Sequence, residues 1–148
     1  MNKTTYEQEL ANRGHLIYTT VGGSMRPFLR SQRDLMRIEK REGRFSRFDV
    51  VLYRRKSGGY VLHRIIKVRE GDYVLCGDNC WQKEPGIRDE QILGVLTHVI
   101  RDGKQVNVNE RGYRLRVRLW WLLYWPRAAV LYLRDYVGAK WKRIKSKS

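Results

Sequence analysis

Cysteine and proline are scarce in this chain of 148 residues, which contains two cysteines and three prolines. Two thiols, Cys76 and Cys80, are too few for the disulfide framework of a small secreted protein. They also lack the neighbouring ligands of a structural zinc site. We therefore expect reduced, structural cysteines and neither a metal nor a cofactor.

Long apolar runs are absent as well. The longest apolar stretch, residues 119–133, has 15 residues and contains Pro126 and Arg127, whereas a membrane-spanning helix needs about 20. The first ten residues are polar and include Lys3, Glu7 and Glu9. The sequence therefore predicts neither a signal peptide nor an N-terminal transmembrane anchor.

Acidic residues are in deficit, with 15 Asp and Glu against 31 Lys and Arg, for a net charge of +16. Residues 111–148 account for +10 of this charge, because Asp135 is their only acid. Such a concentrated excess predicts an anionic partner for this segment. We accordingly divide the chain into a body, residues 1–110, and a basic tail, residues 111–148.

The body has the pattern of a mainly β fold with a barrel or sandwich core. Its β-forming runs are short and bounded by turn signals such as Asp102-Gly103, which is typical of a hairpin. The expected strands are residues 16–21, 35–39, 49–54, 60–69, 72–76, 92–100 and 104–108. A short helix is expected at residues 6–13, with Thr4 or Thr5 as its N-cap.

The tail has a different pattern. Residues 114–119 alternate arginine with apolar residues, which predicts a strand with one basic face. Pro126 suits the first turn of a following helix, whose apolar stripe continues at helical spacing through Val130, Leu133, Val137, Trp141 and Ile144. Basic and aromatic residues in this arrangement predict an amphipathic segment on an anionic membrane surface.

Two alternatives for the tail stay open from the sequence alone. The tryptophan cluster at residues 120–125 can pack on the β body instead of on lipid. Nucleic acid is the other common anionic partner of basic and aromatic residues. It is the less favoured one here, because the aromatic residues of the tail lie among leucines.

Three short motifs in the body contain the side chains of a serine peptidase. Ser24 follows Gly22-Gly23 on a loop, and a serine hydroxyl needs a nearby base to act as a nucleophile. His63 lies in a predicted strand and has the side chain best suited to that role near neutral pH. Asp78 follows in a Gly-Asp-Asn turn, where a carboxylate can fix the orientation of a histidine.

These motifs resemble, in content and order, those of the signal peptidase superfamily, which includes the self-cleaving SOS repressors. The similarity spans roughly residues 18–100 and includes Gly23-Ser24-Met25-Arg26-Pro27, the stretch 48–53, His63-Arg64 and Gly77-Asp78-Asn79. It implies a mostly β fold and cleavage of peptide bonds by a Ser-Lys or Ser-His pair. The histidine makes the chain similar to the endoplasmic-reticulum and archaeal signal peptidases.

The resemblance also implies roles for particular residues. Ser24 would be the nucleophile and His63 the general base. Gly23, Met25 and Pro27 would shape the nucleophile loop and contact the substrate.

For the acid that orients His63, the resemblance leaves a choice. Asp78 is the first candidate, Glu84 follows six positions later, and Asp89 is a weaker third. Many signal peptidases have a serine two positions before the nucleophile, where this chain has Gly22. The oxyanion would therefore depend mainly on backbone N–H groups around Ser24.

The sequence thus predicts a serine endopeptidase that cleaves leader or signal-like peptides at or near a membrane. By resemblance, the substrate would bind as an extended strand and have small residues before the cut. A non-catalytic adaptor of peptidase fold, binding membrane or nucleic acid through its tail, is the competing hypothesis. Processing of the chain by itself alone is a third.

Overall fold

The computed structural model describes residues 5–146. Along the chain, a short N-terminal helix is followed by one sheet of eight strands and then by two C-terminal helices. The elements are α1 (Tyr6–Arg13), β1 (His15–Tyr18), β2 (Leu35–Glu39), β3 (Val50–Arg54), β4 (Tyr60–Val68), β5 (Tyr73–Cys76), β6 (Glu84–Ile87), β7 (Ile92–Arg101), β8 (Lys104–Asn107), α2 (Arg111–Leu122) and α3 (Tyr124–Lys145).

The strands pair in the order β1-β2-β7-β3-β4-β5-β6, with β8 on β7, and every pair is antiparallel. The prediction of a mainly β body is therefore confirmed, as are the hairpins β3–β4 and β7–β8. The turn between β7 and β8 has positive φ at both Asp102 and Gly103, which is the geometry that this dipeptide favours.

Two strands differ from the prediction. The strand expected at residues 16–21 ends at Tyr18, because the chain turns there toward the Ser24 loop. β6 was not predicted, because Pro85 and Gly86 lie inside it and both residues weaken a strand signal. β6 is an end strand of the described sheet, the position where a proline is tolerated.

Helix α1 begins as its sequence predicts. The Thr5 hydroxyl accepts a hydrogen bond from the Gln8 N–H, and the Gln8 side chain accepts one from the Thr5 N–H, which is a capping box. Gly14, with φ of 71°, ends the helix. The alternative N-cap, Thr4, lies outside the described residues.

The sheet is covered on both faces. Val50 and Leu52 of β3 lie in one hydrophobic cluster with Leu16 and Met36, whereas Val51 and Tyr53 lie in a second cluster with Tyr73 and others. Neighbouring side chains of a strand point to opposite faces. This explains why four consecutive residues of β3 are buried and why the strand reads as a continuous apolar run.

Helix α2 replaces the strand that was predicted at residues 114–119, and that prediction is wrong. Tyr113, Val117 and Trp121 recur every four residues and are buried together against Cys76 of the sheet. Leu115 and Leu119 are exposed on another face of the helix. They produced the alternation with arginine, but only the helical spacing buries a continuous apolar face.

Helix α3 begins at Tyr124, so Pro126 lies in its first turn as predicted. Of its 22 residues, only Leu131 is buried. The predicted apolar stripe, residues Val130, Leu133, Val137, Trp141 and Ile144, is more than half exposed throughout. Within residues 5–146, no helix combines the length and the apolar character needed to cross a membrane.

Candidate active site

The loop that contains Ser24 joins β1 to β2 and is held from both sides. Asn79 donates its backbone N–H to the Ser24 carbonyl at 2.7 Å and its side-chain amide to the Gly23 carbonyl at 3.1 Å. Met25 is buried in the core next to Leu29. Ser24 is thus fixed on a tight turn, and its own side chain does not fill the core.

His63 lies in β4 opposite Val51 and is buried. Its Nδ1 is 3.2 Å from Oε1 of Glu84 and 3.4 Å from the Tyr53 hydroxyl. Glu84 is fixed in turn, because the Tyr53 hydroxyl donates to its Oε2 at 2.8 Å and Arg55 Nε donates at 3.0 Å. The histidine ring is therefore oriented by a carboxylate that is itself held by hydrogen bonds from Tyr53 and Arg55.

These neighbours also set the protonation states. Burial lowers the pKa of His63 below its ordinary value of 6.5, although the charge of Glu84 acts in the opposite direction. Burial alone would raise the pKa of Glu84, but hydrogen bonds from Arg55 and Tyr53 keep it below its usual value. At neutral pH the pair is therefore a neutral imidazole beside an ionised carboxylate.

Gly77 lies between His63 and the Ser24 loop, and its lack of a side chain allows the two to come close together. A Cβ at this position would lie 3.1 Å from Nε2 of His63 and 2.7 Å from the carbonyl oxygen of Ser24. Nε2 therefore lies on the side of the ring nearer the backbone of the Ser24 loop, while Nδ1 faces Glu84. This is the polarity that a general base requires, since the carboxylate binds one ring nitrogen and leaves the other for the reacting proton.

Ser24 and His63 line the same open cleft, which has a volume of about 600 Å³. This volume is within the range of small-molecule sites. Gly23, Met25, Arg55 and Cys80 also line the cleft, and its remaining walls come from Tyr6, Tyr18, Thr19, Thr20, Val21, Gly22, Leu52, Tyr60, Val61 and Leu62.

Backbone donors are available beside Ser24. Two neighbouring N–H groups are already occupied: the Gly22 N–H donates to the Ser31 hydroxyl at 3.0 Å, and the Arg26 N–H donates to the Gly23 carbonyl. Among the residues that the structure describes, none accepts a hydrogen bond from the N–H of Ser24 or Met25. Two such N–H groups next to a nucleophile can bind a developing oxyanion.

Asp78 does not fill the role expected for it as the orienting acid. Its carboxylate is fully buried and binds Arg64 through two hydrogen bonds of 2.8 Å. Trp121 donates its indole N–H to the same carboxylate at 3.0 Å. With these partners Asp78 has a structural arrangement, and Glu84 is the carboxylate that reaches His63.

Two other expected residues also lie away from the cleft. Pro27 is exposed and lines a separate groove with Phe28 and Trp120, so it lies outside the lining of this cleft. Asp89 accepts a hydrogen bond from the Tyr73 hydroxyl at 2.6 Å and pairs with Arg44. It does not contact His63.

Several residues of the site were not identified from the sequence as functional. Tyr53 and Arg55 support Glu84, Asn79 holds the Ser24 loop, and Gly77 allows the close approach of that loop to His63. The Gly77-Asp78-Asn79 turn was a usable signal for two of them. Nothing local in the sequence marks Arg55, because its partner lies 29 residues away.

Cys76 has the environment expected of a structural thiol. Cys76 is buried, and burial raises its pKa to about 12, so it is unreactive near neutral pH. Cys80 lies beside the Ser24 loop, with its sulfur 4.0 Å from the Ser24 carbonyl oxygen. Among residues 5–146, no group of histidine, cysteine and acidic side chains is arranged to hold a metal ion.

The chain matches no known protein-family model, no curated protein and no solved structure. Its function is therefore inferred from the geometry and chemistry of the site.

Proposed function

We propose that the protein is a serine endopeptidase of signal-peptidase type, with Ser24 as nucleophile and His63 as general base. The observation that carries the proposal is the orientation of His63. Its Nδ1 is held by Glu84 at 3.2 Å, and its Nε2 lies on the side of the ring nearer the backbone of the Ser24 loop, within the same cleft. In this proposal the eight-stranded sheet is a signal-peptidase-like core.

The proposed reaction follows from this arrangement. Nδ1–H of neutral His63 donates to Glu84, so the lone pair of Nε2 takes the proton of the Ser24 hydroxyl as its oxygen attacks the peptide carbonyl. The N–H groups of Ser24 and Met25 stabilise the oxyanion. His63 then protonates the leaving amine, and a water molecule, deprotonated by the same ring, hydrolyses the acyl ester.

The open cleft suits an extended peptide. Such a substrate would lie along the exposed backbone beside β1 and the Ser24 loop, and strand addition would supply hydrogen bonds that do not depend on sequence. The resemblance adds the expectation of small residues before the cut, as in leader and signal peptides. The basic tail, whose apolar residues are exposed in α3, would hold the enzyme at an anionic membrane surface.

The test is a comparison of wild type with Ser24→Ala. We expect N-terminal profiling of cellular and secreted proteins to show new N-termini that vanish in the variant, and the purified variant to lose all cleavage of a peptide that contains one of those sites. Ser24 is not in the core, so the thermal unfolding midpoint of the variant should equal that of wild type. Retained cleavage by a folded Ser24→Ala protein would overturn the proposal.

A non-catalytic adaptor is the competing function, favoured by the exposed apolar and basic residues of α3, which no catalytic step uses. It predicts identical N-terminal profiles for wild type and Ser24→Ala. Replacing the base separates the two further: His63→Lys should be inactive, because a lysine there must lose its proton inside a site built for imidazole. Processing of the chain by itself would instead appear as a truncated protein that Ser24→Ala restores to full length.

A further inference from the structure

A second groove lies where α2 and the first turn of α3 cross β4 and β5. Six cationic side chains line it, namely Arg47, Lys67, Arg69, Lys83, Arg114 and Arg118, and no carboxylate does. Its volume is about 890 Å³, and it shares no lining residue with the cleft of Ser24 and His63. We call it the basic groove.

Most of this charge is not neutralised within the protein. Arg69 forms an ion pair with Asp72. Among the described residues, the other five cations of the basic groove make no ion pair with a carboxylate. Like charges around one concave surface repel one another and raise the local positive potential, so an anion in the groove would be bound favourably.

The rim of the basic groove is apolar. Leu122 and Trp125 line it and are 78% and 75% exposed, and Leu123 between them is exposed too. The ammonium of Lys83 lies 4.4 Å from the ring centre of Tyr124 and 5.1 Å from that of Trp125. Cations beside exposed tryptophan and leucine are the combination found where a protein enters a membrane interface.

This combination discriminates between anionic ligands. An acidic peptide would use the cations but would leave Leu122 and Trp125 in water. A nucleic acid could stack a base on Trp125 but would leave the aliphatic side chains of Leu122 and Leu123 exposed. A phospholipid uses both, because its phosphate can bind the cations while its acyl chains contact the apolar rim.

We propose that the basic groove binds the phosphate-bearing headgroup of an anionic phospholipid, with Leu122, Leu123 and Trp125 entering the interface. This inference deepens the membrane association proposed above and is independent of the catalytic assignment. Arg47 and Lys67 belong to the body, whereas Arg114 and Arg118 belong to α2. A lipid in the groove would therefore hold the sheet itself in one orientation, which a contact through α3 alone would not do.

The test uses the full chain and vesicles of phosphatidylglycerol mixed with phosphatidylcholine, compared with vesicles of phosphatidylcholine alone. The groove variant is Arg47→Gln with Lys67→Gln and Arg118→Gln. Each charge near an anionic surface contributes a factor of roughly five in affinity. Because the variant loses three charges, we expect its affinity for the anionic vesicles, measured by sedimentation, to be roughly 100-fold lower than that of wild type. Neutral vesicles should bind neither protein strongly.

A matched control removes three charges elsewhere. Arg33, Lys40 and Lys104 are exposed and lie at the ends of β2 and the start of β8, on the other half of the sheet. Changing all three to glutamine should alter vesicle affinity by about threefold or less, since salt screens charges beyond a distance of about 10 Å. Thermal unfolding of both variants checks that each is folded.

Three outcomes would overturn the inference. Equal losses in the groove variant and the control would show diffuse attraction without a site. Tighter binding of a short single-stranded oligonucleotide than of vesicles, lost in the groove variant, would reassign the groove to nucleic acid. Absence of vesicle binding by wild type would remove the membrane association as well, while cleavage of a soluble peptide, measured separately, would still decide the catalytic proposal.

Discussion

At the scale of single residues, Glu84 and Asp78 show how neighbours give the same functional group different roles. Glu84 is partly exposed at the start of β6 and lies against His63, Tyr53 and Arg55. Asp78 is inaccessible and its carboxylate is occupied by Arg64 and Trp121. Only the first carboxylate can support a proton transfer at the cleft.

Replacing Glu84 by glutamine should therefore reduce activity and change its pH dependence. Catalysis needs neutral His63, so kcat/KM should fall as the pH drops through the pKa of His63, which burial places below 6.5. Glu84 raises that pKa, so Glu84→Gln should move the acid limb to still lower pH. The loss of orientation should lower kcat by about 10²–10⁴-fold.

The measurement is a pH–rate profile on a soluble peptide. An acid limb that moves to higher pH in Glu84→Gln, or an unchanged kcat, would remove Glu84 from the site.

Gly77 is the second residue whose replacement should be informative. An alanine Cβ would meet the backbone oxygen of Ser24 and the sulfur of Cys80, each at 2.7 Å, so the Ser24 loop and the turn that contains Gly77 must move apart. A displacement near 1 Å can cost about 10²-fold in rate, and we expect Gly77→Ala to lose that much kcat. Gly71→Ala is the matched control, because its Cβ would meet nothing within 4 Å; comparable kinetics in the two variants would contradict the close packing.

At the scale of elements, Asp78 joins three parts of the fold. It follows β5, its carboxylate binds Arg64 of β4, and Trp120 and Trp121 of α2 donate their indole N–H groups to its carbonyl and carboxylate. The bond from Arg64 to the Phe48 carbonyl extends this network to the start of β3. The predicted catalytic acid is thus a junction between the sheet and the tail.

Asp78→Asn should consequently affect stability more than chemistry. It would leave the guanidinium of Arg64, which is 1% exposed, without its counter-charge, and breaking one partner of a buried pair typically costs about 3–5 kcal/mol. Urea unfolding should show a loss of this size, whereas Glu84→Gln should lose clearly less. If the urea midpoint of Asp78→Asn equals that of wild type, the ion pair between Asp78 and Arg64 does not anchor α2.

The first half of helix α3 contacts the segment next to the Ser24 cleft. Asp135, the only acid of the tail, accepts a hydrogen bond from the Trp81 indole at 3.1 Å, and Tyr132 packs edge-on against the same ring. Trp81 follows Asn79, which holds the carbonyls of Gly23 and Ser24. The tail therefore contacts the segment that positions the nucleophile, while the later turns of α3 are exposed.

At the scale of the whole molecule, this division predicts the effect of truncation. Ending the chain at residue 110 removes Tyr113, Val117 and Trp121, which are buried with Cys76, and the indole donors to Asp78. We expect this protein to aggregate or to melt far below wild type. Ending it at residue 138 removes only exposed residues of α3 from the described structure.

The protein that ends at residue 138 should therefore have the same thermal unfolding midpoint as the full chain and should still cleave a soluble peptide. Differential scanning calorimetry and a peptide assay on both proteins check this prediction. A stable, active 1–110 fragment would show that α2 is dispensable.

The sequence by itself determined the features that depend on near neighbours. Alternating β-formers and the Asp102-Gly103 dipeptide predicted the hairpins, and Thr4 or Thr5 as N-cap predicted the start of α1, because propensities and caps act over a few residues. The Ser24 and His63 motifs were recognisable for the same reason: each is a short run of residues. Their roles in catalysis stay predictions.

Tertiary structure decided the features that depend on distant partners. Glu84 lies next to His63 because β6 pairs with β5, and Asp78 lies next to Arg64 because β5 pairs with β4. Residues 114–119 are helical because Tyr113, Val117 and Trp121 find an apolar surface on the sheet. These features are stabilised by burial and by pairing between segments that are far apart in sequence, so the local spacing of residues does not predict them.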